Sequence, residues 1–404
     1  MSSPLRYNHN QQFLTADQPG IGGRLKVEPA DFFVEEIPLY TPAGEGPHLY
    51  LTIEKTGIST YAAIKQLAQA LGISPHLIGY AGLKDAQAVT RQTLSIESMT
   101  AEAVADLAIP KIQILEMKRH TNKLKAGHLS GNRFRIRVRD VERESLPQAE
   151  AILETLIRRG VPNFFDAQRF GTRGNTDRLG EAIVRRDNVE FVAEFLGRPQ
   201  AHEMLAVQAG RQLVDEGRWA EALALWPQKL ADERRVLTAI SKAGGRLEDV
   251  FKILNKKLQI FFVSAFQSLL FNQLLTDRLE TLDRLEPGDA AYIHHKGASF
   301  IVEDVAAEQP RADQFEISPS GPIFGSKSLL AQQEPGQREL AKLAEYRLTP
   351  DDFNLPGLKI RGTRRPYRFP IKAGKIDWDD GLIISFELPS GAYATRVMAE
   401  IMKN

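Results

Sequence analysis

The chain of 404 residues is long enough to form two or three domains with a large buried core. Its 43% hydrophobic and 25% charged residues are ordinary for a globular protein. The absence of cysteine excludes disulfides, thiolate metal sites and cysteine nucleophiles. The N-terminus lacks the apolar core of a signal peptide, and the most apolar run, 260–271, is too short and too polar to span a bilayer. We therefore expect a soluble, cytoplasmic protein.

Basic residues are unevenly distributed, although the net charge is only +1. Residues 118–139 contain eight Lys or Arg, residues 359–375 contain seven, and neither stretch contains Asp or Glu. Since these stretches hold 15 of the 52 basic groups, the rest of the chain carries 37 basic and 51 acidic groups. Two local basic stretches on an otherwise acidic chain predict a polyanion site, for which nucleic acid is the obvious candidate.

The first elements in chain order are short strands and turns over residues 22–60. Ser59 then caps a predicted helix in which Ile64, Leu67 and Leu71 recur at helical spacing, and Gly72 ends it.

A single carboxylate, Asp85, follows in a short polar loop between the apolar runs 77–81 and 89–96. Lys84 and Arg91 lie close to it in the sequence. Nearby cations lower the pKa of a carboxyl group, whereas burial raises it, so this loop suits a nucleophile or base that stays ionised. A Lys-Asp pair beside glycine is usually a solvated turn, however, so this window alone favours the turn over a catalytic group.

Residues 132–139 alternate strictly, with arginines on one face of a predicted strand and Phe134, Ile136 and Val138 on the other. A charged edge strand would explain the pattern without a ligand. The window 118–139 offers no counter-charge, however, and uncompensated cations repel one another unless a polyanion relieves them. We therefore favour RNA or DNA contact along this stretch.

The later elements change in character, since helical patterns dominate residues 162–350, including a long stretch over 247–285. A hairpin is predicted at 291–294 and 298–302, and a strand at 382–388. Ser390 is predicted to cap a last helix with Tyr393, Val397 and Ile401 on one face. Strand-rich ends around a helix-rich middle indicate one domain inserted into another.

Three further motifs contain residue types that can carry chemistry. The segment 163–171 interleaves aromatic residues with an amide and an arginine, which suits base stacking as well as a domain-junction turn. The segment 321–328 superficially resembles a phosphate loop, but its spacing is wrong, so nucleotide hydrolysis is disfavoured. His294 and His295 are adjacent and would leave opposite faces of a strand, which makes a poor metal pair.

Taken together, these segments resemble the tRNA pseudouridine synthase D (TruD) family over nearly the whole chain. The resemblance rests on six blocks in the family's order: 26–32, 82–92, 119–120 with 129–134, 160–171, 317–325 and 388–395.

The resemblance implies an α+β pseudouridine synthase fold, a mixed and largely antiparallel sheet flanked by helices, with an inserted α/β TRUD domain. The catalytic domain would comprise residues 1–161 and 367–404, and the inserted domain residues 162–366, with RNA received between them. The implied reaction is isomerisation of uridine to pseudouridine in tRNA, expected at uridine 13, without any cofactor. The expected partner is tRNA, without a membrane or an obligate protein partner, and a monomer is the default.

The resemblance also assigns site residues. Asp85 would be catalytic, as a nucleophile or a base, and Phe32, Asn132 and Tyr393 would bind the substrate. Lys26 and Arg169 compete as the cation that keeps Asp85 ionised. The other supporting residues are Lys84, Gln168 and Phe170, and the residues expected on the RNA backbone are Arg119, Lys123, Lys125, Arg133 and Arg135.

Two positions depart from the family pattern. Tyr393 stands where phenylalanine is familiar, which keeps the ring but adds a hydroxyl, and Ala86 stands where many relatives carry lysine. A non-catalytic tRNA-binding or RNA-folding protein of the same fold is the alternative, and intact Asp85 and Asn132 argue against it.

Overall fold

A computed structural model describes residues 12–404, and the contacts within it divide the chain into two compact units. The discontinuous unit contains residues 12–161 and 369–404, and the inserted unit contains residues 162–368.

The first part of the discontinuous unit carries six strands and three helices. The strands are β1 (Phe32–Pro38), β2 (His48–Thr56), β3 (Ile78–Tyr80), β4 (Val89–Glu97), β5 (Ile112–His120) and β6 (Leu129–Val138). The helices are α1 (Thr60–Leu71), α2 (Glu102–Ala105) and α3 (Leu146–Arg159). The predicted caps of α1 are confirmed, because Ser59 Oγ accepts the Ala62 N–H (3.1 Å) and Gly72 ends the helix at φ +66°.

The inserted unit is mainly helical, as predicted. Its helices are α4 (Thr176–Val184), α5 (Asn188–Leu196), α6 (Leu205–Asp215), α7 (Trp219–Leu225), α8 (Ala231–Lys242), α9 (Val250–Ile253), α10 (Lys256–Asp277), α11 (Val305–Asp313) and α12 (Gln333–Glu345). The chain enters it at β7 (Val161–Pro162) and leaves it at β12 (Arg368–Phe369). Between these lie β8 (Ala290–Ile293), β9 (Ala298–Ile301), β10 (Ile317–Ile323) and β11 (Thr363–Pro366), which form an antiparallel sheet in the order β11-β10-β8-β9.

The C-terminal part returns to the discontinuous unit with β13 (Lys372–Trp378), β14 (Leu382–Pro389) and α13 (Ala394–Met402). The prediction that Ser390 caps the last helix is wrong. Gly391 at φ +82° turns the chain first, and Tyr393 is the extended residue that directly precedes α13.

The large sheet of the discontinuous unit has eight strands. The order is β13-β14-β6-β1-β4-β2-β5, and β3 also pairs with β4. Only β1 and β4 run parallel among these described pairs, so the sheet is mixed and largely antiparallel. Glu36 of β1 and Leu388 of β14 lie opposite Asn132 of β6, which places Asn132 in the middle strand of this trio.

One face of this sheet is covered by helices at both ends. Leu67 of α1 packs in one core cluster with Leu51 and Leu94, whereas α3 and α13 pack in a second cluster around Ile136 and Ile384. Because alternate residues of a strand share a face, Phe32 and Asn132 face this helix-covered side together with Phe134, Ile136 and Val138. Phe32 and Val34 of β1 belong to the second cluster, and the loop that carries Asp85 leads into β4, the strand that pairs with β1.

The core of the inserted unit is built on α10. Its 22 residues are long and apolar enough to cross a membrane by length and composition, but 78% of the apolar window is buried inside the protein. The predicted helical stretch 247–285 is interrupted, since α9 ends at Ile253 and Asn255 caps α10 by accepting the Lys257 N–H (2.8 Å). We therefore interpret α10 as a core helix.

The register predicts that neighbouring residues of β6 differ sharply in their contribution to stability. Ile136→Ala removes a fully buried side chain between the sheet and its helices, and we expect it to lower the free energy of unfolding by about 2–5 kcal/mol. Arg135→Ala, on the opposite face, is the matched control and should cost less than about 1 kcal/mol. Urea denaturation measures both, and equal losses would contradict the register.

Candidate active site

Asp85 lies in the loop between β3 and β4, where its side chain keeps about one third of its surface exposed (35%). Its Oδ2 is ion-paired with Lys26 Nζ, and its Oδ1 accepts the Gln87 N–H (2.8 Å). Both oxygens are thus oriented by donors while the carboxylate still faces solvent. This geometry suits a group that must contact a ligand in its charged form.

The pKa of Asp85 lies below its ordinary value as the result of opposing effects. Partial burial, the largest effect, raises the pKa, but the hydrogen bonds from Lys26 and from the Gln87 N–H, together with the charges of Lys26 and Lys55, outweigh it. The loop therefore holds an ionised carboxylate at neutral pH.

Lys26 connects Asp85 to Phe32. Its Nζ lies 4.5 Å from the centroid of the Phe32 ring, which is itself buried and meets Phe134 edge-to-face with centroids 6.3 Å apart. Lys26 has φ +55°, a left-handed conformation that costs energy in a non-glycine residue and persists only where the surroundings fix it. The structure thus brings Lys26, Phe32 and Asp85 together.

Asn132 faces the same side of the sheet as Phe32, and its Oδ1 is buried without a hydrogen-bond partner among residues 12–404. The preceding Gly131 permits the close strand pairing here, since a Cβ on it would lie 2.3 Å from the Leu388 carbonyl oxygen. A buried acceptor without a donor is costly, so a ligand N–H would satisfy Asn132. Tyr393 is exposed (45%) and follows the strand that pairs with Asn132.

Lys55 also supports the Asp85 loop, although no sequence motif pointed to this residue. Its side chain is fully buried, and Nζ donates to the carbonyl oxygens of Ile58 (2.6 Å) and Asp85 (2.9 Å). Burial, opposed in part by the charge of Asp85, lowers the pKa of Lys55 to about 8. One signal was present in the sequence, because Lys55 continues the alternation of Leu51 and Ile53 and therefore had to face the core.

A buried ion pair holds the residue before Asp85. Lys84 Nζ lies 2.7 Å from Glu36 Oε1, and both side chains are 5% exposed. The Lys84 N–H donates to Thr60 Oγ1 (2.9 Å), which in turn donates to Gln92 Oε1 (2.9 Å). Lys84 therefore anchors the loop to the sheet, and removing one partner of such a pair would leave an uncompensated buried charge.

Comparison with known proteins shows the family of the whole chain. The family model "tRNA pseudouridine synthase D (TruD)" matches residues 8–401. The chain belongs to this family. It is 45% identical to proteins named tRNA pseudouridine synthase D from Geobacter sp. strain M21 (97% of this chain, 99% of the relative) and from Geobacter metallireducens (97% and 98%). The crystal structure of the TruD protein of Methanosarcina mazei superposes with a TM-score of 0.88 at 28% identity, covering 98% of this chain and 96% of that one.

The TruD resemblance, the enzyme class and the fold class predicted from the sequence are thereby confirmed. The chain is an isomerase of the tRNA pseudouridine synthase class, with the pseudouridine synthase fold.

The three arginines of β6 lie on the sheet face opposite Asn132, and Arg139 directly follows the strand. The expectation that these four charges lack counter-charges is wrong. Carboxylates distant in sequence approach every one of them: Arg133 pairs with Glu35 (2.8 Å) and Glu387 (2.8 Å), Arg135 with Asp379 (3.9 Å), Arg137 with Asp379 (2.8 Å) and Arg139 with Asp31 (2.8 Å). RNA contact by Arg133 and Arg135 stays a prediction. Because both arginines have carboxylate partners, repulsion between uncompensated charges no longer supports it.

The remaining predicted cations of the discontinuous unit lie between β5 and β6 or at the end of β5. Arg119 is half-buried, Lys125 is exposed, and Lys123 Nζ donates to the His76 carbonyl oxygen (2.8 Å). Their contact with RNA stays a prediction.

The predicted supporting residues of segment 163–171 lie in the inserted unit. Phe170 is buried in its core, and Gln168 is exposed. Arg169 donates to Ser264 Oγ (2.6 Å) and Ser268 Oγ (3.1 Å) of α10. Lys26 forms an ion pair with Asp85, and the expected role of Arg169 beside that carboxylate stays a prediction.

Replacing Lys26 should shift the pH dependence of the enzyme. Without the hydrogen bond and charge of Lys26, the effect of burial is less fully opposed and the pKa of Asp85 rises. As the pH falls, Lys26→Met should therefore lose activity at a higher pH than the wild-type protein does. Single-turnover rates of pseudouridine formation from about pH 4 to pH 8 measure this shift for Lys26→Met, with Lys26→Arg as the control that keeps the charge. An unchanged acidic limb in Lys26→Met would contradict the assignment.

Lys55→Met should slow the reaction without weakening tRNA binding. The carbonyl oxygens of Ile58 and Asp85 lose their donor, and we expect an unfolding free energy lower by about 1–3 kcal/mol together with a slower single-turnover rate. Lys65→Met removes an exposed lysine of α1 and serves as the control. A wild-type rate in Lys55→Met would show that the loop does not need this support.

Proposed function

We propose that this chain converts uridine 13 of tRNA to pseudouridine, with Asp85 as the catalytic carboxylate. The observation that carries the proposal is the ionised, solvent-accessible Asp85, fixed by Lys26 beside the Phe32 ring in a chain of the TruD family. A carboxylate that only closed a turn would need neither a cation in a strained backbone conformation nor a buried lysine beneath it.

The reaction is an isomerisation, and its atoms balance within the nucleotide. The N1–C1′ bond breaks, the uracil rotates in the site, C5 bonds to C1′, and the proton lost from C5 is balanced by one gained at N1. Ionised Asp85 can act as a nucleophile or as a base that removes a sugar proton, and both roles need the carboxylate form. The low pKa of Asp85 therefore matches the chemistry.

Substrate binding is proposed to use Phe32, Asn132 and Tyr393. The target base must leave its stack before the sugar can be reached, so an aromatic surface and a hydrogen-bonding amide are needed in the site. The buried Oδ1 of Asn132 can accept the N3–H of uracil, which would satisfy it. The exposed Tyr393 ring can pack on the base while its hydroxyl stays in water.

We further propose that residues 1–161 and 367–404 form the catalytic domain and residues 162–366 the TRUD domain. The protein is proposed to act as a cytoplasmic monomer, without a cofactor.

Substitution of Asp85 tests the function and the site separately. Asp85→Asn keeps the shape but removes the charge, and we expect pseudouridine formation in tRNA transcripts to fall by at least about 100-fold while tRNA affinity changes little. Nucleoside analysis after digestion gives the yield, and a transcript with cytidine at position 13 shows where the product forms.

Each outcome has a separate meaning. If the wild-type protein forms no pseudouridine but binds tRNA, the non-catalytic alternative is right. Full activity in Asp85→Asn would overturn the site alone, and undiminished product in the transcript without uridine 13 would overturn the position alone.

A further inference from the structure

A groove of about 410 Å³ lies on the inserted unit, between residues 326–327 and the loop 353–361. Its floor is apolar, with Phe353, Leu355 and Ile360 buried. Its rim is basic, because the exposed side chains of Lys327, Lys359 and Arg361 line it.

Backbone pairing fixes the two sides of this groove. The Ser326 N–H donates to the Ile360 carbonyl oxygen (2.9 Å), and the Lys327 N–H donates to the Arg361 carbonyl oxygen (2.9 Å). Glycine permits the close approach, since a Cβ on Gly325 would lie 2.3 Å from the Gly362 nitrogen. Lys327 and Arg361 are thus held next to each other by the backbone.

Two more exposed cations border the same loop. Arg186 donates to the Asn354 carbonyl oxygen (3.4 Å), and Lys256 Nζ lies 3.3 Å from where a Cβ of Gly357 would stand. In the part of the chain that the structure describes, none of the five cations has an ion pair with a carboxylate: Arg186, Lys256, Lys327, Lys359 and Arg361.

The acidic residues just before the groove do not neutralise these cations. Asp352 accepts the Thr349 N–H (2.7 Å) and the Thr349 hydroxyl (2.9 Å), and Asp351 forms no ion pair among the described residues. By contrast, Arg364, from the same basic stretch of the sequence, is buried and paired with Glu339 (2.7 Å). The basic stretch 359–375 therefore contains both structural cations and cations that remain available to a ligand.

Like charges gathered in this way repel one another, and a bound polyanion relieves the repulsion. The backbone hydrogen bonds of this segment indicate how the groove can bind an anion. Because the N–H groups of Ser326 and Lys327 already donate to carbonyl oxygens, the segment 321–328 cannot cradle a phosphate as a phosphate loop does. Recognition must come from long, flexible cationic side chains around an apolar floor, which suits successive phosphodiesters of a nucleic acid strand better than a single bound nucleotide.

We propose that this groove of the inserted unit binds phosphodiester groups of the RNA substrate. The proposal rests on the proposed function for the identity of that RNA as tRNA. It deepens that function by assigning a backbone contact to Lys327, Lys359 and Arg361 of the inserted unit, the last two of which lie in the basic stretch 359–375.

The test compares two triple variants of the full chain with equal loss of charge. Lys327→Gln/Lys359→Gln/Arg361→Gln removes the groove cations, and Lys229→Gln/Lys242→Gln/Lys296→Gln removes three exposed lysines elsewhere on the inserted unit. Fluorescence anisotropy with labelled tRNA gives Kd between about 0.05 and 0.3 M salt. We expect the groove variant to raise Kd about tenfold at 0.1 M salt and to reduce the slope of log K against log salt by about 2, whereas the control should change Kd less than about twofold.

Three further measurements separate the explanations. Thermal unfolding shows whether the groove variant is folded. If the triple variant does not fold, the single variant Lys359→Gln replaces it, and we expect it to reduce the slope of log K against log salt by about 0.7. Inorganic phosphate is titrated as a competitor, since a site for small anions would bind it. Single-turnover rates at saturating enzyme, with Asp85→Asn alongside, report on catalysis independently of affinity.

A wild-type Kd and slope in the groove variant would overturn the proposal, as would equal effects in both triple variants. Loss of phosphate binding without loss of RNA binding would assign the groove to a free anion and overturn it as well. Loss of tRNA binding with a retained saturated rate supports it. Failure of the proposed function looks different, because the wild-type protein would then form no pseudouridine whatever the groove variant binds.

Discussion

The active site depends on keeping one carboxylate charged in a place that disfavours charge. Burial of the Asp85 loop raises the pKa of its side chain, and the ion pair with Lys26 reverses that effect. Lys26 is held in a left-handed backbone conformation, so the fold bears a local cost to aim this ammonium group at Asp85. Without that contact, the pKa of Asp85 would be higher, because the effect of burial would be opposed only by the Gln87 N–H and the charge of Lys55.

The loop is also supported by buried charged side chains. Lys55 binds the Asp85 carbonyl oxygen, and Lys84 is paired with Glu36 in the sheet. Buried ion pairs contribute little net stability compared with apolar residues, but they fix geometry, because each partner has few alternatives. Here they hold the backbone on both sides of the carboxylate, which leaves its oxygens to Lys26, to Gln87 and to a ligand.

Basic residues serve two purposes in this chain, and only their neighbours distinguish them. The arginines of β6 neutralise carboxylates brought by β1, β14 and the turn after β13, so their regular spacing reflects the pairing of the sheet. The cations around the groove at 353–361 have no such partners among the described residues. A basic stretch in a sequence therefore marks a ligand site only after the acids that approach it through space are known.

The sequence by itself determined the family, the enzyme class, the fold class and the helix caps at Ser59 and Gly72, because these depend on local patterns and on motifs in a fixed order. It also indicated an ionised Asp85 but left two cations in competition. Only the tertiary structure showed the ion pair between Lys26 and Asp85, the contact of Lys55 with the Asp85 backbone and the counter-charges of the β6 arginines. The physical reason is that ion pairs form between strands and loops distant in sequence, and their strength depends on burial, which no window of sequence specifies.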